Sequence, residues 1–468
     1  MAKQNAIDEI VVVPFPHAGH IFPATELSVH LARRNYKVTL FLPSSSSPSP
    51  HSLVQTVEFP VPHPTRIHPQ LLEDDTLHAL LSTILGRHTS SSNVPLCVIV
   101  DSMLSGLIDT CLQHQVPAVS FFTSGACAAA LEHATWKLSP DDFTASAAIP
   151  ISGLPVEFAL TVSDFNTRHQ PFGGASRPGG PRRARGIEGA DGAVALLVNT
   201  CNDLERPFLD YLAKEARKPA WGVGPLLPEP FWVATRSMRD GEVRSGHEAG
   251  VDEKKLMDWL DTKPPRSVIY ISFGSLVSPS DDELALLAAA LDKLNRPFVW
   301  VMQPEPKKYE LQGQRSNDSG GVVVSVEEVA RRSEGKVIRG WAPQLQILRH
   351  PSVGGFVSHC GWNSTVEALV CGVPILAWPI RGDQHNNAKL VVRHLGVGCT
   401  IGDPDRSNLG FPATMTKEDL VSGIERLMTD EGIRKCAAST RVLFSGGFPK
   451  SSSSSLDDFL ASLSSQRS

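Results

Sequence analysis

Short, wholly apolar runs alternate with amphipathic stretches along this chain, the pattern of parallel strands joined by crossover helices. Ile10-Val11-Val12-Val13 predicts a strand buried on both faces, followed by a loop from Pro14 to His20. A helix is expected over Phe22 to Arg34, with Pro23 in its first turn and Leu27 and Leu31 one turn apart. Val38 to Leu42 is the next strand, so the three elements form a right-handed crossover unit. Further strands are predicted at Leu96 to Val100, Ala118 to Phe122 and Leu196 to Asn199. The alternation restarts near Asp252 with a helix over Lys254 to Leu260 and a strand over Ser267 to Ile271 that ends in Ser272-Phe273-Gly274-Ser275. A helix over Asp281 to Leu291 and strands at Phe298 to Met302 and Val337 to Arg339 follow.

The fold expected from this order is α/β, with two doubly wound, Rossmann-like domains. The first spans 1–228 and the second 252–450, with 229–251 as linker and 451–468 as a tail carrying a serine run and a short helix over Leu456 to Leu463. The Gly-, Pro- and Arg-rich segment Asn166 to Gly186 is expected to be a mobile loop of the first domain, its arginines a solvated cluster. Two such domains facing each other make a cleft at the carboxyl ends of their strands, where ligands of these sheets bind.

The stretch from Trp341 to Gln384 changes the picture from fold to chemistry. Gly354 to His359 reads as a buried strand, Cys360-Gly361-Trp362-Asn363-Ser364 as a tight turn, and Thr365 to Val370 as the helix it opens. Backbone N–H groups at a helix N-terminus, the positive end of the helix dipole, the Asn363 and Ser364 side chains and His359 together suit a diphosphate. In the first domain, His20 lies at a loop-to-helix junction past the first strand, where an imidazole serves either as a base near neutral pH or as a cap. Asp101 ends the strand Leu96 to Val100 and suits either a carboxylate that orients a histidine or the N-cap of the segment after it.

Composition narrows the alternatives. A chain of 468 residues with 41% hydrophobic and 20% charged residues holds enough apolar surface for two cores. A net charge of −5 argues against a nucleic-acid surface. There is no apolar run of membrane-spanning length and no signal-like N-terminus, so a cytoplasmic chain with no membrane partner is expected. The 8 cysteines are scattered without metal-ligand spacing, which points to reduced thiols and no zinc. No Gly-x-Gly-x-x-Gly follows the first strand, which excludes the dinucleotide-dependent dehydrogenases.

The 44 residues from Trp341 to Gln384 resemble the signature box of plant secondary-product UDP-glycosyltransferases. Met257 to Ser275 and Pro14 to Pro23 also match that family's usual wording, so the resemblance covers nearly the whole chain. It implies the GT-B fold, an acceptor-binding first domain, a UDP-sugar-binding second domain, and a C-terminal helix that packs back on the first. It implies His20, in Gly19-His20-Ile21-Phe22-Pro23, as the catalytic base and Asp101 as its partner; His17 is out of the matching position and Asp109 lies further along the following helix. Trp341 corresponds to the ring that stacks on uracil, with Ala342 beside it, Gln344 to the contact with base and ribose, and Glu367 to the acceptor of the ribose hydroxyls. Ser275, His359, Trp362, Asn363 and Ser364 correspond to the diphosphate contacts, Asp383 and Gln384 to the sugar contacts, and Thr123 to a first-domain residue reaching the sugar.

The implied reaction is inverting transfer of a hexose, with glucose favoured by Gln384, from a UDP-sugar to a small hydrophobic acceptor, without a metal cofactor. A monomer is expected. The acceptor is expected to be a flavonoid or other phenolic, with Phe15, Phe122, Trp136 and Arg381 as candidate contacts. Arg381, His385 and the His17-Ala18 pair depart from the family's common pattern. A cytokinin-type hydroxyl, C-glycosylation, UDP-sugar epimerisation and non-catalytic UDP-sugar binding remain alternatives.

Overall fold

The computed structural model describes residues 7–44, 51–60, 75–89, 94–143, 148–164, 186–233, 250–303, 325–402 and 415–465. The expected mobile loop at 166–186 lies, but for Gly186, outside the described residues, as does most of the expected linker. Among the described residues, 7–233 together with 444–465 form one compact unit and 250–443 another.

The first unit is built on strands β1 (Glu9–Val13), β2 (Lys37–Pro43), β3 (Val54–Phe59), β4 (Cys97–Asp101), β5 (Ala118–Phe122), β6 (Ala195–Val198) and β7 (Ala220–Gly222). All pairings are parallel and the spatial order is β3-β2-β1-β4-β5-β6-β7. The second unit holds β8 (Val268–Ser272), β9 (Phe298–Met302), β10 (Lys336–Arg339), β11 (Val353–Ser358), β12 (Ile375–Ala377) and β13 (Gly398–Thr400), again all parallel, in the order β10-β9-β8-β11-β12-β13. Each sheet is therefore doubly wound, and its strand order reverses once: between β1 and β4, and between β8 and β11. The central strands are buried on both faces, which is why their sequences are continuous apolar runs rather than alternating ones. Among the described residues no helix is long and apolar enough to cross a membrane.

Several boundaries differ from the sequence expectation, and those of three helices bear on the site and the tail. The first helix is Ala18–Ala32, so His20 lies in its first turn rather than in a preceding loop. Pro23 misplaced the start: it sits inside the helix, which instead begins where the His17 ring nitrogen accepts the Gly19 N–H at 3.3 Å. The helix after the signature turn is Trp362–Cys371, so Asn363 and Ser364 belong to its first turn. The tail helix is Lys450–Ser465 and takes in the whole serine run. Serine is a middling helix former in isolation, and here tertiary contacts decide. Ser452 is fully buried and its hydroxyl donates to the Gly224 carbonyl, while Arg34 holds Asp457 at 2.7 Å and the Ser453 hydroxyl at 2.8 Å. Leu456, Phe459, Leu460 and Leu463 join the core formed by β1, β2 and β4. Residues 444–450 belong with the first unit, ahead of the expected change at 451.

The Phe459 ring is fully buried and lies 5.5 Å from that of Trp221, centroid to centroid. Phe459→Ala is expected to cost the first unit about 3–5 kcal/mol, read as a lower urea midpoint of that unit's transition with the second unit's transition unmoved.

Candidate functional site

In the first unit, three neighbouring strand ends deliver three polar side chains. β4 ends on Asp101, β5 leads to Thr123, and the segment after β1 turns into the helix that carries His20. His20 Nδ1 lies 2.8 Å from Asp101 Oδ2. A carboxylate oxygen only accepts, so the hydrogen sits on Nδ1 and the lone pair on Nε2, the tautomer a general base requires. The Thr123 hydroxyl oxygen lies 2.9 Å from the same nitrogen, a contact the sequence reading did not foresee for this residue.

Asp101 is 1% exposed, and its other oxygen, Oδ1, accepts the Met103 N–H at 2.9 Å. The two roles weighed for it from sequence, cap and histidine partner, are thus both filled, one by each oxygen. A buried carboxylate is costly without such bonds, and these two fix its rotation. The His20 side chain keeps 25% of its surface exposed. Phe15, 1% exposed, packs edge-on against the His20 ring with centroids 5.2 Å apart. Phe15 and Phe122, at 1% and 3% exposed, are core residues, which corrects their reading as acceptor surface. Trp136, at the end of the helix Ala126–Trp136, is 38% exposed.

In the second unit, the ends of β8 and β11 lie side by side, with Ser272 and Ser358 in register. Beyond β8 the chain turns at Gly274, at φ +75°, and exposes Ser275. Beyond β11, Cys360 adopts φ +61° and Gly361 caps the helix Trp362–Cys371 without bringing a side chain to its amides. At Gly125 the first two amides of Ala126–Trp136 donate to the buried Glu205 carboxylate, at 3.0 and 2.7 Å, so that helix end is filled by the protein itself.

His359 sits between these two turns. A β-carbon added at Gly274 would come within 2.6 Å of its Nε2, and one at Gly361 within 2.5 Å, so both glycines are required by the ring. Burial, partly offset by a backbone contact from Ser272, lowers the His359 pKa to about 4. The ring is neutral at physiological pH and acts there as a hydrogen-bonding group rather than a cation.

Gln344 joins the other predicted donor contacts. Its Oε1 accepts from the Tyr270 hydroxyl at 3.0 Å, and its Nε2 donates to Ser364 Oγ at 2.9 Å and Glu367 Oε2 at 2.8 Å. Burial pushes the Tyr270 phenol up, so it keeps its proton and holds the amide in this orientation. Tyr270 was not foreseen as part of the site; its place opposite β11 within the sheet is visible only from the strand pairing. Ser364 and Glu367 are three residues apart, hence on one helix face. Trp341 follows β10 half-buried, its carbonyl accepting the Gly250 N–H at 2.9 Å, and Ala342 is buried beside it. Gln384 is buried and uses its Oε1 to accept the Ile380 and Arg381 amides at 2.9 and 3.0 Å, which fixes the orientation of its amide. Asp383 is half-buried, and the Arg381 guanidinium reaches the Leu276 carbonyl at 3.4 Å.

This arrangement has close parallels. The profile of the "UDP-glucoronosyl and UDP-glucosyl transferase" family matches residues 240–440. UDP-glucosyl transferase 73M2 of Saponaria officinalis is 30% identical over 387 residues, 79% of this chain and 75% of that one. The chain belongs to the plant UDP-glycosyltransferases. UDP-glucose flavonoid 3-O-glucosyltransferase 7 of Fragaria ananassa is 29% identical, covering 84% of this chain and 81% of its own. A UDP complex of a ugt transferase from Siraitia grosvenorii matches at a TM-score of 0.70 and 27% identity, over 97% of this chain and 99% of that one. The fold is thus GT-B, and this glycosyltransferase moves a sugar from a UDP-sugar to a small metabolite.

The buried histidines make stability pH-dependent. The folded His359 pKa, about 4, lies below the ordinary 6.5, so between these values the unfolded chain binds a proton that the folded chain does not. This contribution is complete above pH 6.5 and is lost as pH falls toward 4. His30, lowered to about 4 by burial and then by Arg34 and Arg33, shares the window. His359→Asn is expected to remove about 2 kcal/mol of the wild-type loss between pH 7 and pH 5, measured as a smaller shift of the urea midpoint; an unchanged shift would show that His359 is not held neutral.

Proposed function

We propose that this glycosyltransferase moves glucose from UDP-glucose to a hydroxyl of a flavonoid or related phenolic, with inversion and without a metal ion. The observation that carries the mechanism is the 2.8 Å contact between His20 Nδ1 and the buried Asp101 carboxylate. His20 Nε2 takes the proton of the acceptor hydroxyl as that oxygen forms its bond to the anomeric carbon. The bond from that carbon to the diphosphate oxygen breaks on the opposite face, and UDP leaves with the electron pair. Asp101 stabilises the imidazolium that results.

The leaving diphosphate is met by the N-terminal amides of Trp362–Cys371, with Asn363, Ser364, Ser275 and the neutral His359 beside it. Fixed dipoles of this kind stabilise charge as it develops and do the work a divalent cation does elsewhere. Trp341, Ala342, Gln344 and Glu367 hold the uridine, and Asp383 and Gln384 the sugar hydroxyls. A Gln384 amide fixed through its Oε1, with the NH2 group as donor, supports the glucose assignment, and the Fragaria relative supports the phenolic class.

Incubation with UDP-glucose, a panel of phenolics and EDTA, followed by mass detection, is expected to give an acceptor carrying one added hexose. A new UDP-hexose would mean epimerisation, and no product with retained UDP-glucose binding would mean a binder. His20→Ala is expected to lower the transfer rate by about 10²- to 10⁴-fold while UDP affinity measured by calorimetry stays within about twofold. Full activity in that variant would remove His20 from the mechanism.

A further inference from the structure

Three residues past the signature box, Asn387 is fully buried on the short helix Gln384–Lys389. Its Nδ2 donates to the Cys360 carbonyl at 2.9 Å and to Asp383 Oδ2 at 3.0 Å. Both partners only accept, so the orientation of the amide is dictated by chemistry: its NH2 group faces them and Oδ1 faces away. Oδ1 is buried with no hydrogen-bond partner. A side chain kept only to fill space would do better without that cost, since an apolar residue of similar size leaves no acceptor unsatisfied.

The two atoms Asn387 holds belong to adjacent parts of the candidate donor site, the diphosphate turn and the sugar contact. Cys360 occupies the left-handed region at φ +61°, a conformation a residue with a β-carbon resists, and it aims the helix Trp362–Cys371 that begins two residues later. The Cys360 N–H donates to Ser358 Oγ at 3.1 Å and its carbonyl is held by Asn387, so the turn is pinned on both sides. Asp383, one helical turn before Asn387, has the rotation of its carboxylate set by the other N–H.

We propose that Asn387 is a positioning residue that couples the diphosphate-side turn at Cys360 to the sugar-side carboxylate of Asp383, so that the diphosphate and the hexose of the UDP-sugar are bound in one register. This rests on the reading of Cys360–Ser364 and Asp383 as donor contacts. It makes an unusual demand: a contact to the hexose must influence the binding of a nucleotide that carries no hexose.

Calorimetry with UDP alone and with UDP-glucose tests this on the full chain. Asp383→Ala, at a half-buried position where folding is tolerant, is expected to weaken UDP itself about 3- to 10-fold, because the released amide loosens the Cys360 turn. Asn387→Leu is expected to lower kcat/KM for UDP-glucose about 10²-fold and to reduce the preference for UDP-glucose over UDP at least about fivefold. In the Asp383→Ala background, Asn387→Leu should change that preference by less than about threefold. Unchanged UDP binding in Asp383→Ala, or additive losses in the double variant, would overturn the coupling. A wild-type chain that binds no UDP would instead overturn the underlying reading, and the coupling with it.

Discussion

A parallel sheet whose strands are buried on both faces has no room for chemistry along its length, and this constraint places everything else. Ile10 to Val13 and Val98 to Val100 are at most 1% exposed, and Val268 to Ile271 are equally closed. Apart from the Tyr270 hydroxyl, the polar side chains named for the candidate site therefore lie at or beyond strand ends. Where the strand order reverses, the two connections leave in opposite directions and the space between them stays open. Each unit reverses once, and the candidate residues sit there: His20 and Asp101 beyond β1 and β4, Ser275 and His359 to Ser364 beyond β8 and β11.

Within these openings, polar groups are oriented by other polar groups rather than by packing. Asp101 spends one oxygen on a backbone amide and the other on His20. Gln344 is held by the Tyr270 phenol on one side and by Ser364 and Glu367 on the other. Such networks are worth most when fully satisfied, because the low dielectric that strengthens each bond also penalises any group left out. They define tautomers and amide directions before a ligand arrives, and this preorganisation is what lets fixed dipoles stabilise charge without rearranging. The neutral His359 belongs to the same logic. Its charge is removed by burial between two glycines, so at neutral pH it adds no cation beside the helix end.

Much of this was legible in the sequence, for physical reasons that also mark where legibility stopped. Central strands announce themselves because burial on both faces forces unbroken apolar runs; β5 and β9 were placed to the residue. The edge strand β3, VQTVEF, neither alternates strictly nor runs apolar, and β12 and β13 are three residues each, so none carries enough pattern to be seen. The start of the first helix was missed because Pro23 looked like a first-turn residue, while the true cap is a histidine nitrogen, an unusual acceptor for that position. The serine-run helix was invisible because its stability comes from Gly224, Arg34 and the apolar face it buries, all distant in sequence. Phe15 and Phe122 were misassigned for a related reason: an aromatic side chain near a strand end reads the same whether it faces a pocket or the core.

Site residues divide along the same line. His20, Asp101 and the donor-box residues were expected because a family pattern preserves their spacings. The contact of Thr123 with His20, and the places of Tyr270 and Asn387, arise across sequence separations of 103, 74 and 27 residues, respectively, and only the fold brings these partners together. The last case shows that a box drawn on sequence need not end where the physical unit ends. A helix repeats its face every four residues, so the segment that presents Asp383 also carries Asn387 inward one turn later. The residue that links the diphosphate turn to the sugar contact thus falls just outside the window that the family pattern marks.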